Sequence, residues 1–265
     1  PIYVDLPNEK ERLQFLRGIA KKNGYDVSEE DLKNLSARTP GSSIAILQNV
    51  VGLAQRNAGK EHRKLDGRDL QEALDEYCYG EKHEWQEDYY RAVAIHESGH
   101  AYLAWLAGTK PSFMTIQSRG TYGGYMMHQN EEEKPQFTRE ELLWKIRCSL
   151  AGRAAESVFY GVEASNNTGA SSDLKSASRY ALRMLCEYGM EEGRLLAVQV
   201  EDMINTPFGS QCLEQANQLL QNQMEETIRI VSEGKQLIQK LSEELLKNNY
   251  LTGSEIVAIL EGKES

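Results

Sequence analysis

Two histidines one helical turn apart have the types and spacing that metal chemistry requires. His96 and His100 stand four positions apart, so on an α-helix they lie on one face and can direct both imidazole rings to one point. Zn²⁺ accepts neutral imidazole nitrogen as a ligand. Glu97 follows the first histidine and could accept a proton from the water that attacks a peptide bond. The run His-Glu-Ser-Gly-His at 96–100 therefore predicts a zinc peptidase motif on a helix.

A catalytic zinc site of this kind needs a third ligand from the protein. The metzincin pattern would place glycine three and histidine six residues after the second histidine, but Leu103 and Leu106 occupy those positions and exclude that class. Several side chains further along the chain could complete the set, namely His128, Glu140, Glu141, Glu156 and Asp173.

Asp173 is a candidate because it lies where a loop of small residues opens an amphipathic helix. We predict Ser171 or Ser172 as the N-cap, which places Asp173 in the first turn, where a carboxylate can be held rigidly toward a metal. An acidic residue there also stabilises the positive end of the helix dipole without any metal. From the residues alone, the dipole role is at least as good an explanation as ligation.

A series of ordered motifs extends from the histidine pair toward residue 190. They are His-Glu-Ser-Gly-His at 96–100, Arg-Gly-Thr-Tyr-Gly-Gly-Tyr at 119–125, Leu-Ala-Gly-Arg-Ala-Ala-Glu at 150–156, Thr-Gly-Ala-Ser-Ser-Asp-Leu at 168–174 and Glu-Tyr-Gly-Met at 187–190. Together they resemble the peptidase domain of the FtsH-type AAA+ zinc proteases. The resemblance implies that Zn²⁺ is bound by His96, His100 and Asp173, with Glu97 as the catalytic base. Ser98 departs from the family, which usually has alanine there.

Composition limits the other functions that the chain could have. A formal net charge of −10 argues against nucleic-acid binding, which depends on neutralising phosphates. Four cysteines without paired spacing indicate free thiols in a reducing compartment. No apolar run approaches the ~20 residues that span a bilayer, and we expect no signal peptide. Because the chain starts at Pro1, we expect it to be a piece of a longer protein.

Helix signals divide the chain near residue 80 into two expected domains, 1–80 and 81–265. In the first, caps at Asn8, Ser28 and Asp66 and a break at 39–43 predict four helices. The runs at 2–7, 39–41 and 67–73 resemble the helical lid of an AAA+ ATPase. A phosphate-binding Gly-x-x-x-x-Gly-Lys-Ser/Thr loop does not occur in the sequence, so we expect the ATP-binding core to be absent and ATP not to be hydrolysed.

The second domain combines helices with one predicted hairpin. Residues 113–118 and 122–128 predict two strands, whose edge could pair with an extended substrate or could simply cover the core. Thr138 with Glu141 predicts a helix to about Tyr160, on which Glu156 could support the site by a hydrogen bond or lie on the surface. Apolar spacing at 211–248 predicts a long helix or helical hairpin, and Thr252 opens a last helix.

These patterns predict a mostly α protein: an AAA+ lid-like four-helix module followed by an α-helical zinc peptidase domain with a small β-hairpin. The expected function is a zinc-dependent endopeptidase, the proteolytic part of an ATP-dependent, membrane-associated machine. A gluzincin-like site with Glu156 as third ligand and a non-catalytic adaptor remain alternatives. The resemblance further implies a homo-hexamer on the cytoplasmic face of a membrane, reached through segments outside this chain, and unfolded or membrane proteins as substrates. The fragment itself is expected to be soluble.

Overall fold

The computed structural model describes residues 5–80, 82, 84, 86–117, 124–128, 136–190, 195–203 and 206–262, apart from the side chains of Met127 and His128. Twelve helices and three short strands form in these ranges, which confirms the predicted mostly α class. The described residues form two compact units. The first comprises the described residues up to Glu84 together with Gln117, and the second comprises those of 86–116 and 124–262. No helix in these ranges has the length and apolar character needed to cross a membrane.

The first unit contains the four predicted helices. They are α1 (Glu9–Asn23), α2 (Glu29–Ala37), α3 (Ile44–Lys60) and α4 (Gly67–Tyr79). Each begins after a residue whose side chain accepts a hydrogen bond from the first turn. Asn8, Ser28 and Asp66 were the predicted caps, whereas the cap of α3, Ser43, lies in the segment predicted only as a break. Their apolar faces enclose one core, which includes Leu16, Leu32, Leu35, Val50, Ala54, Leu70 and Leu74.

The second unit is built around one buried helix. Its helices are α5 (Glu87–Leu106), α6 (Arg139–Tyr160), α7 (Val162–Ser165), α8 (Ser171–Cys186), α9 (Val200–Met203), α10 (Pro207–Glu233), α11 (Lys235–Asn248) and α12 (Gly253–Leu260). Helix α5 packs against α6 and α11, and α6 also packs against α8 and α10. Because α5 has neighbours on several sides, its own apolar residues are distributed around the helix and do not form a single stripe.

A small antiparallel sheet covers one part of this unit. Strands β1 (Pro111–Thr115), β2 (Tyr125–His128) and β3 (Tyr250–Thr252) are arranged in the order β2-β1-β3. The first two correspond to the predicted hairpin, although both are shorter than predicted and the turn between them lies outside the described residues. The sequence did not predict β3. It forms because Asn249 adopts a left-handed conformation (φ 59°), which lets the chain leave α11 and pair with β1.

The long apolar segment predicted at 211–248 forms two helices that meet at Gly234. Helix α10 packs on α6 and α8, whereas α11 packs on α5. A Cβ atom on Gly234 would lie 2.1 Å from Cζ of Tyr102 on α5. Glycine at this junction therefore leaves space for the aromatic ring of the buried helix.

Candidate metal and active site

The two motif histidines lie on one face of α5, as their spacing predicts. The Nε2 atoms of His96 and His100 are 3.1 Å apart. Both side chains are largely buried, since only 11% and 13% of their surfaces are exposed. The helix therefore holds two imidazole nitrogens next to each other in a poorly solvated place.

Asp173 reaches the same point from α8. Its Oδ2 atom lies 3.1 Å from Nε2 of His96 and 3.3 Å from Nε2 of His100. The aspartate stands in the first turn, but the predicted cap is wrong: Ala170 occupies the N-cap position without a side-chain hydrogen bond, and Ser171 is already helical. The helix starts earlier than predicted because its entry is shaped by the preceding turn, in which the backbone N–H of Ser171 donates to the carbonyl of Thr168.

Hydrogen bonds on the far side of each ring determine which nitrogen faces this point. Nδ1 of His96 lies 2.6 Å from Oε1 of Glu156, and Nδ1 of His100 lies 2.8 Å from the backbone carbonyl of Cys148. An ionised carboxylate and a carbonyl only accept hydrogen bonds, so each Nδ1 carries the hydrogen and donates it. In the neutral rings, both Nε2 lone pairs then point toward the carboxylate of Asp173.

The three facing atoms have the chemistry and spacing of a zinc site. Among the described histidine, cysteine, aspartate and glutamate side chains, His96, His100 and Asp173 form a group whose ligand atoms all lie within 4.8 Å of one another. Zinc bonds of about 2.0–2.1 Å at tetrahedral angles place ligand atoms about 3.3 Å apart. The measured separations of 3.1–3.3 Å fit that geometry.

Without a metal, a proton has to balance these charges. Burial lowers the pKa of His96, but hydrogen bonds with Asp173 and Glu156 outweigh it and raise that pKa to about 10. Burial would raise the pKa of Asp173, but its hydrogen bonds with His100 and His96 hold that pKa well below its ordinary value. The group of side chains therefore attracts a positive charge, which a divalent cation can supply in place of the proton.

Glu97 lies beside the ligand group and is buried. Burial raises its pKa, and the neighbouring His96 and His100 offset only part of that increase. A carboxylate with a raised pKa accepts a proton more readily than an exposed one. This property suits a general base that works near neutral pH.

Close contact between α5 and α6 positions the His96 ring. A Cβ atom on Gly152 would lie 2.3 Å from Nε2 of His96, and one on Gly99 would lie 2.7 Å from the carbonyl oxygen of Ala151. Only glycine fits at either position without displacing its neighbours. The ring of His96 therefore rests directly on the backbone of α6.

The other candidate ligands lie elsewhere or have different partners. Glu156 contacts Nδ1 of His96, on the opposite side of the ring from Asp173. Glu141 accepts hydrogen bonds at the start of α6, and Glu140 pairs with Arg147. His128 belongs to β2, but its side chain lies outside the described residues.

Three contributors to the site were not identified from the sequence as site residues. They are the backbone carbonyl of Cys148, the bare backbone at Gly152 and the side chain of Asn167, which donates to Glu156 at 2.6 Å. A carbonyl contact has no signature in the sequence. The small residues of Leu-Ala-Gly-Arg-Ala-Ala at 150–155 were the available sign that a helix packs closely there.

A helix-borne His-Glu-x-x-His motif joined by a carboxylate from a second helix is the arrangement of a zinc-dependent peptidase. The chain belongs to peptidase family M41, whose model matches residues 84–259. This match confirms the resemblance inferred from the motifs.

Proteins from several bacteria are similar in sequence to most of this chain. The ATP-dependent zinc metalloprotease FtsH of Mycoplasmopsis synoviae is 31% identical over 277 residues, which cover 96% of this chain and 41% of that protein. The protein of the same name from Mesomycoplasma conjunctivae is 37% identical over 214 residues (78% and 28%). That of Thermus thermophilus is 31% identical over 279 residues (98% and 44%). The chain thus spans less than half the length of these relatives.

Proposed function

We propose that this chain hydrolyses peptide bonds as the zinc endopeptidase part of an ATP-dependent protein-degrading machine. The observation that supports this best is the convergence of three acceptor atoms, from His96, His100 and Asp173, at 3.1–3.3 Å. Three lone pairs at this distance repel one another unless a cation or a proton lies between them. Membership of peptidase family M41 and the names of the relatives support zinc as that cation.

In this proposal His96, His100 and Asp173 hold the metal, and Glu156 with the Cys148 carbonyl keeps the two rings in the required tautomer. Bound zinc supplies a Lewis acid for the scissile carbonyl and lowers the pKa of a coordinated water. Glu97 accepts the proton of the attacking water and passes it to the leaving amine. Because Glu97 is buried, few water molecules compete for this transfer.

The test compares metal content and proteolysis in matched variants. Glu97→Gln should keep one zinc per chain and lose roughly 10²–10⁴-fold in digestion of unfolded casein, because it removes the base and leaves the ligands. His96→Ala should lose both zinc and activity. Glu214→Gln, the same change at an exposed position of α10, should match the parent in both. Digestion by Glu97→Gln at the parent rate would refute the mechanism.

The same assay separates the two alternatives. A gluzincin-like site would lose its zinc in Glu156→Ala and keep it in Asp173→Ala. The proposed site would instead lose more zinc affinity in Asp173→Ala than in Glu156→Ala. A non-catalytic adaptor would bind zinc yet digest no casein, with or without a chelator.

For the whole protein, we propose that residues 1–80 are an AAA+ lid-like module and 81–265 the peptidase domain. We further propose a homo-hexamer on the cytoplasmic face of a membrane, anchored by segments outside this chain, that degrades unfolded or membrane proteins and binds no nucleic acid. The FtsH resemblance supports the lid-like module, the hexamer, the membrane and the substrates, the words "ATP-dependent" in the relatives' names support the link to an ATPase, and the net charge of −10 argues against nucleic acid. Sedimentation of the purified chain tests the assembly, since a hexamer has six times the 30.0 kDa of one chain.

A further inference from the structure

Asn167 is connected to the candidate metal site through Glu156. Its Nδ2 atom donates to Oε2 of Glu156 at 2.6 Å, while Oε1 of the same carboxylate accepts from Nδ1 of His96 at 2.6 Å. Both oxygens of Glu156 are therefore engaged, and the side chain is 8% exposed. The orientation of this carboxylate, and with it the His96 ring, depends on a donor from outside α6.

The amide of Asn167 is itself fixed by the backbone around it. Its Oδ1 atom accepts from the backbone N–H of Gly169 at 2.8 Å, and Nδ2 also donates to the carbonyl of Ala164 at 3.1 Å. A backbone N–H can only donate, so the oxygen of the amide must face Gly169 and the nitrogen must face Glu156. The side chain therefore links the segment that enters α8 to the carboxylate on α6.

That segment leads directly to Asp173, six residues after Asn167. One side chain thus connects the support of the His96 ring with the part of the chain that delivers the third candidate ligand. We infer that Asn167 is a positioning residue, which holds Glu156 against His96 and fixes the entry of the Asp173 helix relative to it. This inference rests on the proposed zinc function.

The two roles of the amide can be separated by substitution. Asn167→Asp keeps an oxygen for the N–H of Gly169 but replaces the donor to Glu156 by a second carboxylate. Asn167→Ala removes both. Asn166→Ala is the matched control, because Asn166 accepts from Arg153, whereas the hydrogen bonds described for Glu156 are with His96 and Asn167.

The measurements are zinc affinity by chelator competition, the visible spectrum of the Co²⁺-substituted protein, and the melting temperature of the metal-free chain. Loss of a group that orients a ligand typically weakens metal binding about 10–100-fold. We expect Asn167→Asp and Asn167→Ala to weaken zinc binding by this factor and to change the Co²⁺ spectrum, while Asn166→Ala matches the parent. A purely structural role would lower the melting temperature without changing the spectrum.

Each result decides the inference. Parent-like zinc affinity and Co²⁺ spectrum in Asn167→Asp would overturn it, because the turn at Gly169 would then be the only function of the amide. Equal weakening in Asn166→Ala would overturn it as well, because the effect would not be specific to Glu156. Failure of the parent chain to bind zinc would contradict the proposed function and this inference together.

Discussion

A single methyl group at position 152 should displace a metal ligand. The Cβ atom of Gly152→Ala would lie 2.3 Å from Nε2, 2.4 Å from Cε1 and 2.5 Å from Cδ2 of His96, whereas ordinary contacts begin near 3.4 Å. The ring must therefore move by about 1 Å, or α6 must move away from α5. Neither movement is easy, since Glu156 holds the other side of the ring at 2.6 Å.

Such a displacement is large compared with what a zinc site tolerates. Ligand distances have to stay within about 0.2 Å of their ordinary values. We therefore expect Gly152→Ala to weaken zinc binding at least about 100-fold, beyond the range for groups that only orient a ligand. Helix propensity acts in the opposite direction, because alanine in a helix interior is about 1 kcal/mol more favourable than glycine. A loss of zinc binding could then not be attributed to a weaker helix.

The assay is competition for zinc with a chromogenic chelator, together with thermal unfolding of the metal-free protein. Gly18→Ala in the interior of α1 is the matched control, since its added Cβ would meet nothing within 4 Å. It should leave zinc affinity unchanged and stabilise the chain by roughly 0.5–1 kcal/mol. Zinc affinity of Gly152→Ala within about threefold of the parent, roughly 0.6 kcal/mol, would refute the close packing of His96 on α6.

Three further substitutions test other parts of the structure. Ser98→Ala should raise the free energy of unfolding by about 1 kcal/mol, because the buried Ser98 hydroxyl has no hydrogen-bond partner among the described residues; unchanged or lower stability in urea would contradict this. Asp75→Ala should cost about 3–5 kcal/mol by removing the carboxylate of its buried ion pair with Arg38, and an unchanged urea midpoint would show the pair to be dispensable. Thr138→Ala should cost about 1 kcal/mol by removing the N-cap of α6, measured in the same way, with Thr138→Ser as a control that keeps the cap.

Local signals in the sequence predicted where five of the helices in the described residues begin, namely α1, α2, α4, α6 and α12. Capping boxes at Asn8, Ser28, Thr138 and Thr252 each involve residues three positions apart, so the whole interaction is visible in a short window. The histidine pair is visible for the same reason, since one helical turn brings the two rings together. Helix caps and the histidine pair can be predicted because residues close in the sequence determine the backbone conformation on which they depend.

Long-range contacts decided the features that the sequence did not predict. Strand β3 has three residues, too few for an alternating pattern, and it forms because β1 offers an edge. At 211–248 the sequence left a single helix and a helical hairpin open, and the structure has two helices that meet at Gly234, next to the Tyr102 ring of a helix more than a hundred residues earlier. For Asp173, ligation and a dipole role fit the residues equally well, and the structure adds the measured approach of its Oδ2 atom to both histidines.

One face of α6 explains how this site is assembled. Cys148, Gly152 and Glu156 stand four residues apart, so they form a row along that helix. Cys148 contacts His100, whereas Gly152 and Glu156 contact His96. The later histidine of α5 thus meets the earlier residue of α6, so the two helices run antiparallel. Along the row, the carbonyl of Cys148 accepts from the His100 ring, Gly152 leaves space for the His96 ring, and Glu156 accepts from the His96 ring. The motif on α5 provides the candidate ligands, but it is the opposing row on α6 that turns their lone pairs toward Asp173.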